Sequence, residues 1–207
     1  MAVGEIIKVE SNPSLGFHWP YFLYIPKSFD GTKSTYFFVE SNNQPVKQVP
    51  YESTLDSAYG TALINKNFSE ALGMPSIVPV FPGTDDINAR NANFFHAINE
   101  DALLFNRADL KRVDLQLLAM VDDAKAKLMA ENIQMNNQIV INGFSDSGNY
   151  ANRFTGLHPD RVKVMISGGI NVFFFPVQEV NGVSFNYPLG VSDYSKYSPV
   201  EIGRAHV

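Results

Sequence analysis

The sequence contains no cysteine, so it can form no disulfide, supplies no thiolate nucleophile and has no cysteine ligands for a metal. It has only four histidines, and no two of them stand in a His-x-His or His-x-x-x-His arrangement. Such spacings are the ones that bring two imidazoles to the same metal ion. We therefore expect neither a metal site nor another cofactor.

An excess of positive charge is also absent. The 207 residues carry 16 Lys and Arg against 21 Asp and Glu, which gives a net charge of -5. Nucleic acids and anionic membrane surfaces attract basic patches, so we expect no nucleic-acid and no membrane partner. The hydrophobic fraction of 45% is that of an ordinary globular chain of one domain, which we place at residues 1–200.

The first residues, MAVGEIIKVESNPS, lack both the basic segment and the apolar segment of a secretory signal. The sequence as written therefore predicts a cytoplasmic protein. A native start further upstream would make a secreted protein equally consistent with these residues.

Short apolar segments alternate with helical patterns along the chain. An antiparallel hairpin is predicted for 5–10 and 21–25, and buried strands for 34–40, 76–81, 138–141 and 162–167. Helical spacing predicts helices over 53–63, 109–132 and 146–157, with 88–106 loop-like and 173–199 an irregular cap or cleft-lining loop. This succession predicts an α/β fold with a mostly parallel sheet and helices on both faces.

The most informative stretch is QIVINGFSDSG, residues 138–148, in which a strand, a turn of small residues and a helix follow one another. Ser145 stands at the apex, Gly143 two residues before it and Ser147 two residues after it. The pattern is close to the nucleophile elbow G-x-S-x-G, whose sharp turn crowds both flanking positions. A hydroxyl there, beside the unpaired N–H groups of a helix start, is suited to attack on an ester or amide carbonyl. The alternative is a serine N-cap on an ordinary strand-to-helix connection.

The stretch GFSDSGNYANRFTGLHPDRV, residues 143–162, resembles the α/β-hydrolase superfamily, in particular bacterial serine esterases similar to poly(3-hydroxybutyrate) depolymerases or feruloyl esterases. The segments YFLYIP, PVFPG and RVDLQLLAMVDDAKAKL support the likeness, which extends over most of the chain. It implies that Ser145 is the acyl-accepting nucleophile. Ser147 departs from the family pattern, which has a second glycine at that position.

The resemblance also implies an oxyanion hole made of two backbone N–H groups. One is that of Asp146, and we expect the other in the loop after the strand 76–81, at Gly83 or Thr84. A plain Pro-Gly turn is the alternative for that loop. His96 and Ser147 are candidates for lining the cleft, although packing on aromatic residues is the slightly favoured interpretation of His96.

The catalytic base is harder to place, because the family order is serine, then acid, then histidine. His158 follows Ser145 in the same helix, which puts it about 20 Å away at ~1.5 Å per residue. His18 and His96 precede the serine, so only His206 has the right order. Asp193 is a candidate acid only if a base exists.

His206 lies in the last seven residues, EIGRAHV, whose codons in one reading frame reproduce a widely used sequencing adapter. We expect residues 201–207 to be a non-native, adapter-derived tail. The last strands, the triad acid and the histidine are then missing, and the printed chain is an inactive fragment with an unpaired sheet edge.

The predicted function is that of a serine hydrolase acting on small-molecule or polymeric carboxylic esters through an acyl-enzyme on Ser145. One alternative is a non-catalytic binding domain with the same fold. Another is a serine peptidase or acyltransferase, because the elbow alone does not determine the acyl group or its acceptor.

Overall fold

A computed structural model describes residues 3–43, 50–82 and 98–197. In these ranges six strands form one sheet, and two short strands form a separate ribbon. The strands are β1 Ile6–Val9, β2 Tyr21–Tyr24, β3 Thr35–Glu40, β4 Ser76–Pro79, β5 Met135–Phe144, β6 Val162–Gly168, β7 Glu179–Val180 and β8 Val183–Ser184.

The strand order in the main sheet is β1-β2-β4-β3-β5-β6. The pairs β1–β2 and β2–β4 are antiparallel, and β4, β3, β5 and β6 run parallel to one another. This arrangement confirms the predicted mostly parallel sheet with an N-terminal antiparallel hairpin. Because parallel strands end at a common edge, the segments after β3, β5 and β6 meet there.

Four α-helices lie in the described ranges: α1 Tyr51–Leu72, α2 Glu100–Leu104, α3 Val113–Met129 and α4 Asp146–Leu157. Helix α1 packs on β2, β3 and β4, whereas α3 packs on β4 and β5 and α4 on β5 and β6. Side chains alternate between the faces of a strand. Phe22 and Val78 accordingly pack with α1, and Leu23 and Ile77 belong to the larger core with α3 and α4. The helices therefore cover both faces, as predicted.

Two helices differ from the sequence prediction. Helix α1 continues from Leu63 to Leu72, and polar Asn65 and Ser69 occupy its buried face. A periodicity count of apolar residues misses a helix whose buried positions are polar. Helix α2 lies where a loop was predicted, and its start is capped by the Asn99 side chain, which accepts the N–H of Ala102 at 2.9 Å.

The segment after β6 is mostly irregular, as predicted, and it packs along α4. The N–H of Phe174 donates to the Asn152 side chain at 2.8 Å. Near the other end of the helix, the Tyr194 hydroxyl donates to the carbonyls of Gly156 and Leu157 at 3.0 and 2.9 Å. These bonds satisfy two of the carbonyls that a helix end leaves without an internal partner.

Strand β6 forms one edge of the sheet in the described ranges, and its side chains Val164 and Ile166 are 45% and 50% exposed. Across the parts of the chain that the structure describes, no helix combines the length and the apolar character needed to cross a bilayer. The proposed tail at 201–207 lies outside these parts.

Candidate active site

Ser145 is the single residue between the end of β5 and the start of α4. Its backbone has φ 63° and ψ -123°, a conformation that is rare for a residue with a Cβ atom. Its N–H donates to the carbonyl of Gly168 at the end of β6 (2.9 Å), and its carbonyl accepts the N–H of Asn149 (2.9 Å). The side chain is exposed at the carboxyl edge of the sheet. The backbone is thus strained at this strand-to-helix turn, and we refer to residues 143–148 as the elbow.

Two glycines make this turn possible. A Cβ atom on Gly143 would lie 2.1 Å from the carbonyl oxygen of Ser147, and a Cβ atom on Gly148 would lie 2.5 Å from that of Gly168. The small residue required after Ser145 is therefore Gly148, three positions on, where α4 crosses the end of β6. This explains how the turn accommodates a serine at position 147.

Ser147 is only 1% exposed, and its hydroxyl lies inside the turn. The hydroxyl accepts the N–H of Phe144 at 3.0 Å and donates to the carbonyl of the same residue, also at 3.0 Å. The side chain thus closes the turn below Ser145. The sequence makes Ser147 a candidate for lining the cleft, but this burial leaves its hydroxyl no access to an open cleft.

Asn43, three residues after the end of β3, contacts the elbow from outside. Its side-chain Nδ2 donates to the carbonyl of Phe144 at 2.8 Å, and its Oδ1 accepts the N–H of Ser147 at 2.7 Å. Sequence reasoning missed this residue. The available signal was a run of three small polar residues, Ser-Asn-Asn, directly after a buried strand.

Comparison with known proteins supports the reading of the fold. No known protein family and no curated protein sequence matches the chain. Among solved structures, poly(aspartic acid) hydrolase-1 from Sphingomonas sp. KT-1 superposes with a TM-score of 0.61 at 14% identity, over 97% of this chain and 66% of that one. The chain has the α/β-hydrolase fold.

Two further solved structures match with lower scores. Acetyl xylan esterase from Aspergillus awamori has a TM-score of 0.46 at 13% identity, over 77% of this chain and 49% of that one. The poly(3-hydroxybutyrate) depolymerase LpqC from Bordetella parapertussis has a TM-score of 0.45 at 15% identity, over 90% and 58%. The chain thus spans about half to two thirds of the length of these three proteins.

In an α/β-hydrolase, the N–H of the residue after the nucleophile and an N–H from the loop after β3 form the oxyanion hole. Asp146 is the first residue of α4 and directly follows Ser145. The loop after β3 is the one that contacts the elbow, through Asn43. Gly83 and Thr84 follow β4, which β3 separates from β5. Both lie outside the described residues, as does His96.

His158 lies at the opposite end of α4 from Ser145, and the 12 residues of the helix separate them by about 18 Å at ~1.5 Å per residue. Its Nε2 is 2.9 Å from Oδ2 of Asp114, and Arg112 donates two hydrogen bonds to the same carboxylate at 2.9 and 2.6 Å. Burial alone raises the pKa of Asp114, but the bonds from Arg112 and His158 outweigh it and hold the pKa below its usual value. This His–Asp pair is remote from Ser145.

Asp193, the candidate acid, is also engaged elsewhere. The carboxylate of Asp193 accepts the N–H of Tyr187 at 2.8 Å and pairs with Lys196 at 3.3 Å, within its own segment. None of the described residues forms a hydrogen bond with the Ser145 hydroxyl. Over the same residues, no cluster of three His, Asp or Glu side chains is arranged to hold a metal ion.

Proposed function

We propose that the protein is a serine hydrolase that cleaves carboxylic esters through an acyl-enzyme on Ser145. The observation that carries the proposal is the backbone of Ser145, held at φ 63° between β5 and α4 with its side chain exposed at the carboxyl edge of the sheet. A strained conformation of this kind persists only where the surrounding structure enforces it, and it is concentrated at functional sites.

In the proposed reaction, the Ser145 oxygen attacks the ester carbonyl and the hydroxyl proton passes to a general base. The N–H of Asp146 and a second N–H stabilise the oxyanion of the tetrahedral intermediate. Collapse of the intermediate breaks the ester C–O bond, and the base returns its proton to the leaving oxygen to give the alcohol. Water then attacks the acyl-enzyme, which yields the carboxylic acid and restores the Ser145 hydroxyl. For the second N–H the contact of Asn43 with the elbow favours the loop after β3, while Gly83 or Thr84 stays our earlier prediction.

We propose that the base belongs to native sequence downstream of residue 200, because His158 is about 18 Å along α4 from the serine. The printed chain alone is then expected to react slowly, through substrate binding and the oxyanion hole only. In a model serine hydrolase that residual contribution is on the order of a thousandfold over water. Small-molecule and polymeric esters both remain candidate substrates, since the fold does not determine the acyl pocket.

The test is labelling with a fluorophosphonate, which reacts with activated serines. The printed chain, its Ser145→Ala variant and a chain extended by the native downstream sequence are compared. Ser28→Ala is the matched control, because Ser28 is an exposed serine after β2, at the opposite edge of the sheet. We expect labelling of the extended chain that Ser145→Ala abolishes and Ser28→Ala preserves.

A non-catalytic domain of the same fold is the second candidate. The supporting observation is that none of the described residues hydrogen-bonds to the Ser145 hydroxyl. Absence of labelling in both the printed and the extended chains, with the fold intact, would favour this candidate over the esterase.

A further inference from the structure

Two consecutive asparagines, Asn42 and Asn43, follow β3. At the carboxyl edge of the sheet, the side chain of the first binds the segment after β4 and the side chain of the second binds the segment after β5. Asn42 is fully buried and forms two bonds with the backbone of Phe81 after β4, one to its carbonyl (3.4 Å) and one from its N–H (3.3 Å). Asn43 forms two bonds with the backbone of the elbow after β5, to Phe144 and from Ser147. Each side chain thus acts as an extra backbone amide between neighbouring strand ends.

We propose that Asn43 is the positioning residue that keeps Ser145 in its positive-φ conformation. The two groups that it binds enclose the nucleophile, since the Phe144 carbonyl belongs to the peptide bond before Ser145 and the Ser147 N–H lies two residues after it. A planar amide that bonds both groups holds them at a constant separation. Rotation of Ser145 to a negative φ would break at least one of the two bonds.

The surrounding bonds explain why Asn43 has this role. The N–H and carbonyl of Ser145 bond to Gly168 and Asn149, which anchor the turn to β6 and to α4. The Ser147 hydroxyl closes it from inside. Asn43 alone among these residues ties the elbow to the loop after β3, the loop that supplies an oxyanion N–H in this fold. Its significance for catalysis rests on the proposed esterase function.

The Ser147 N–H donates to the Asn43 side chain and stabilises the elbow, so it is not available to bind an oxyanion. The side chain also sets the spacing between the β3 loop and Ser145. A misplacement of about 1 Å between groups of a catalytic site is enough to lower a rate about a hundredfold. Loss of Asn43 is therefore expected to affect the chemical step more than substrate binding.

The first test uses equilibrium unfolding of the printed chain. The substitutions Ser145→Gly and Ser145→Ala are each made in three backgrounds: the parent sequence, the Asn43→Ala variant and the Asn42→Ala variant. In the parent we expect glycine to lower the unfolding equilibrium constant about tenfold relative to alanine, because only alanine has a Cβ atom that disfavours positive φ. In Asn43→Ala the turn can relax, and the difference should shrink to about twofold. Effects that glycine and alanine have independently of residue 43 are the same in both backgrounds, so they cancel when the two differences are compared.

Asn42→Ala is the matched control, because it removes the same side chain one residue earlier and on the side of β4. It should lower stability and yet retain the tenfold difference. Asn43→Asp keeps an oxygen acceptor for the Ser147 N–H and loses the donor to Phe144. It should give an intermediate difference, and it provides the background for the comparison if Asn43→Ala does not fold.

The second test compares the rate constants of fluorophosphonate labelling of the extended chain and its Asn43→Ala variant, for which we expect a decrease of about ten- to a hundredfold. Equal glycine–alanine differences in the parent and in the Asn43 variants would overturn the positioning role, whatever the labelling shows. Coupling between positions 43 and 145 without labelling of the parent would overturn the esterase proposal and support the positioning role.

Discussion

A methyl group on Gly143 would lie 2.1 Å from the carbonyl oxygen of Ser147, well inside the contact distance of the two atoms. This approach determines how tightly β5 turns into α4. Because the obstructing atom belongs to the helix backbone, no side-chain rotation can relieve the overlap. The turn therefore requires glycine at position 143.

We expect Gly143→Ala to destabilise the protein by about 3 kcal/mol, the upper end of the usual cost of overpacking. Gly60→Ala is the matched control, because Gly60 lies within α1 and a Cβ atom there meets no atom within 4 Å. It should stabilise the protein by about 0.5–1 kcal/mol, since glycine is a poor helix former. Urea unfolding of both variants checks the prediction, and a small effect of Gly143→Ala would mean that the turn is wider than described.

Ser147→Ala should lower the free energy of unfolding by about 1–2 kcal/mol, because it removes both hydrogen bonds between the hydroxyl and the Phe144 backbone. Ser147→Gly restores the G-x-S-x-G pattern and should be less stable still, since glycine adds backbone entropy to the unfolded chain. Thermal unfolding of the two variants measures this order. The reverse order would indicate that the serine side chain strains the turn.

Stability should fall as the pH drops below about 4, partly through Asp114. Arg112 and His158 hold the pKa of this buried carboxyl below the value of about 3.9 that an aspartate has in an unfolded chain. Its contribution is therefore complete above that value and disappears as the pH falls through the lower, folded-state pKa. Asp114→Asn should be less stable at neutral pH and lose less stability on acidification. Parallel curves of melting temperature against pH would contradict this assignment.

His158→Gln should leave the labelling rate of Ser145 in the extended chain within about twofold of the parent, because the histidine lies at the far end of α4. The amide of glutamine can still donate to Asp114, whereas His158→Ala removes the bond and should cost about 1.5–3 kcal/mol of stability. Labelling that disappears in a folded His158→Gln variant would identify this histidine as the base and refute our placement.

The elbow could be predicted from sequence because all of its determinants lie within a few residues. Gly143, Ser145 and Gly148 define one local turn, and the strand and helix beside it have clear patterns. The role of Asn43 could not be predicted in this way, since it depends on β3 lying between β4 and β5. Strand order is determined by contacts between residues that are far apart in the sequence, so the local sequence around Asn43 does not reveal it.

The end of α1 illustrates a second limit. Asn65 and Ser69 lie on the buried face of the helix, where an analysis of hydrophobic periodicity expects apolar residues. The cluster of Asp114, Arg112 and His158 was missed for the same reason. Sequence analysis assigns a charged residue to the surface unless the partner that allows its burial is known. Both cases concern polar groups whose neighbours come from other elements.

The bond from Ser147 to Asn43 joins residues that are 104 positions apart in the chain. At a translation rate of ~5–20 residues per second, the end of β3 is synthesised roughly 5–20 s before its partner. The bond between Asn43 and the elbow consequently forms late in biosynthesis, after Asn43 has been present for some time without its partner. The elbow can therefore acquire its bond to Asn43 only after the sheet has brought the two segments together.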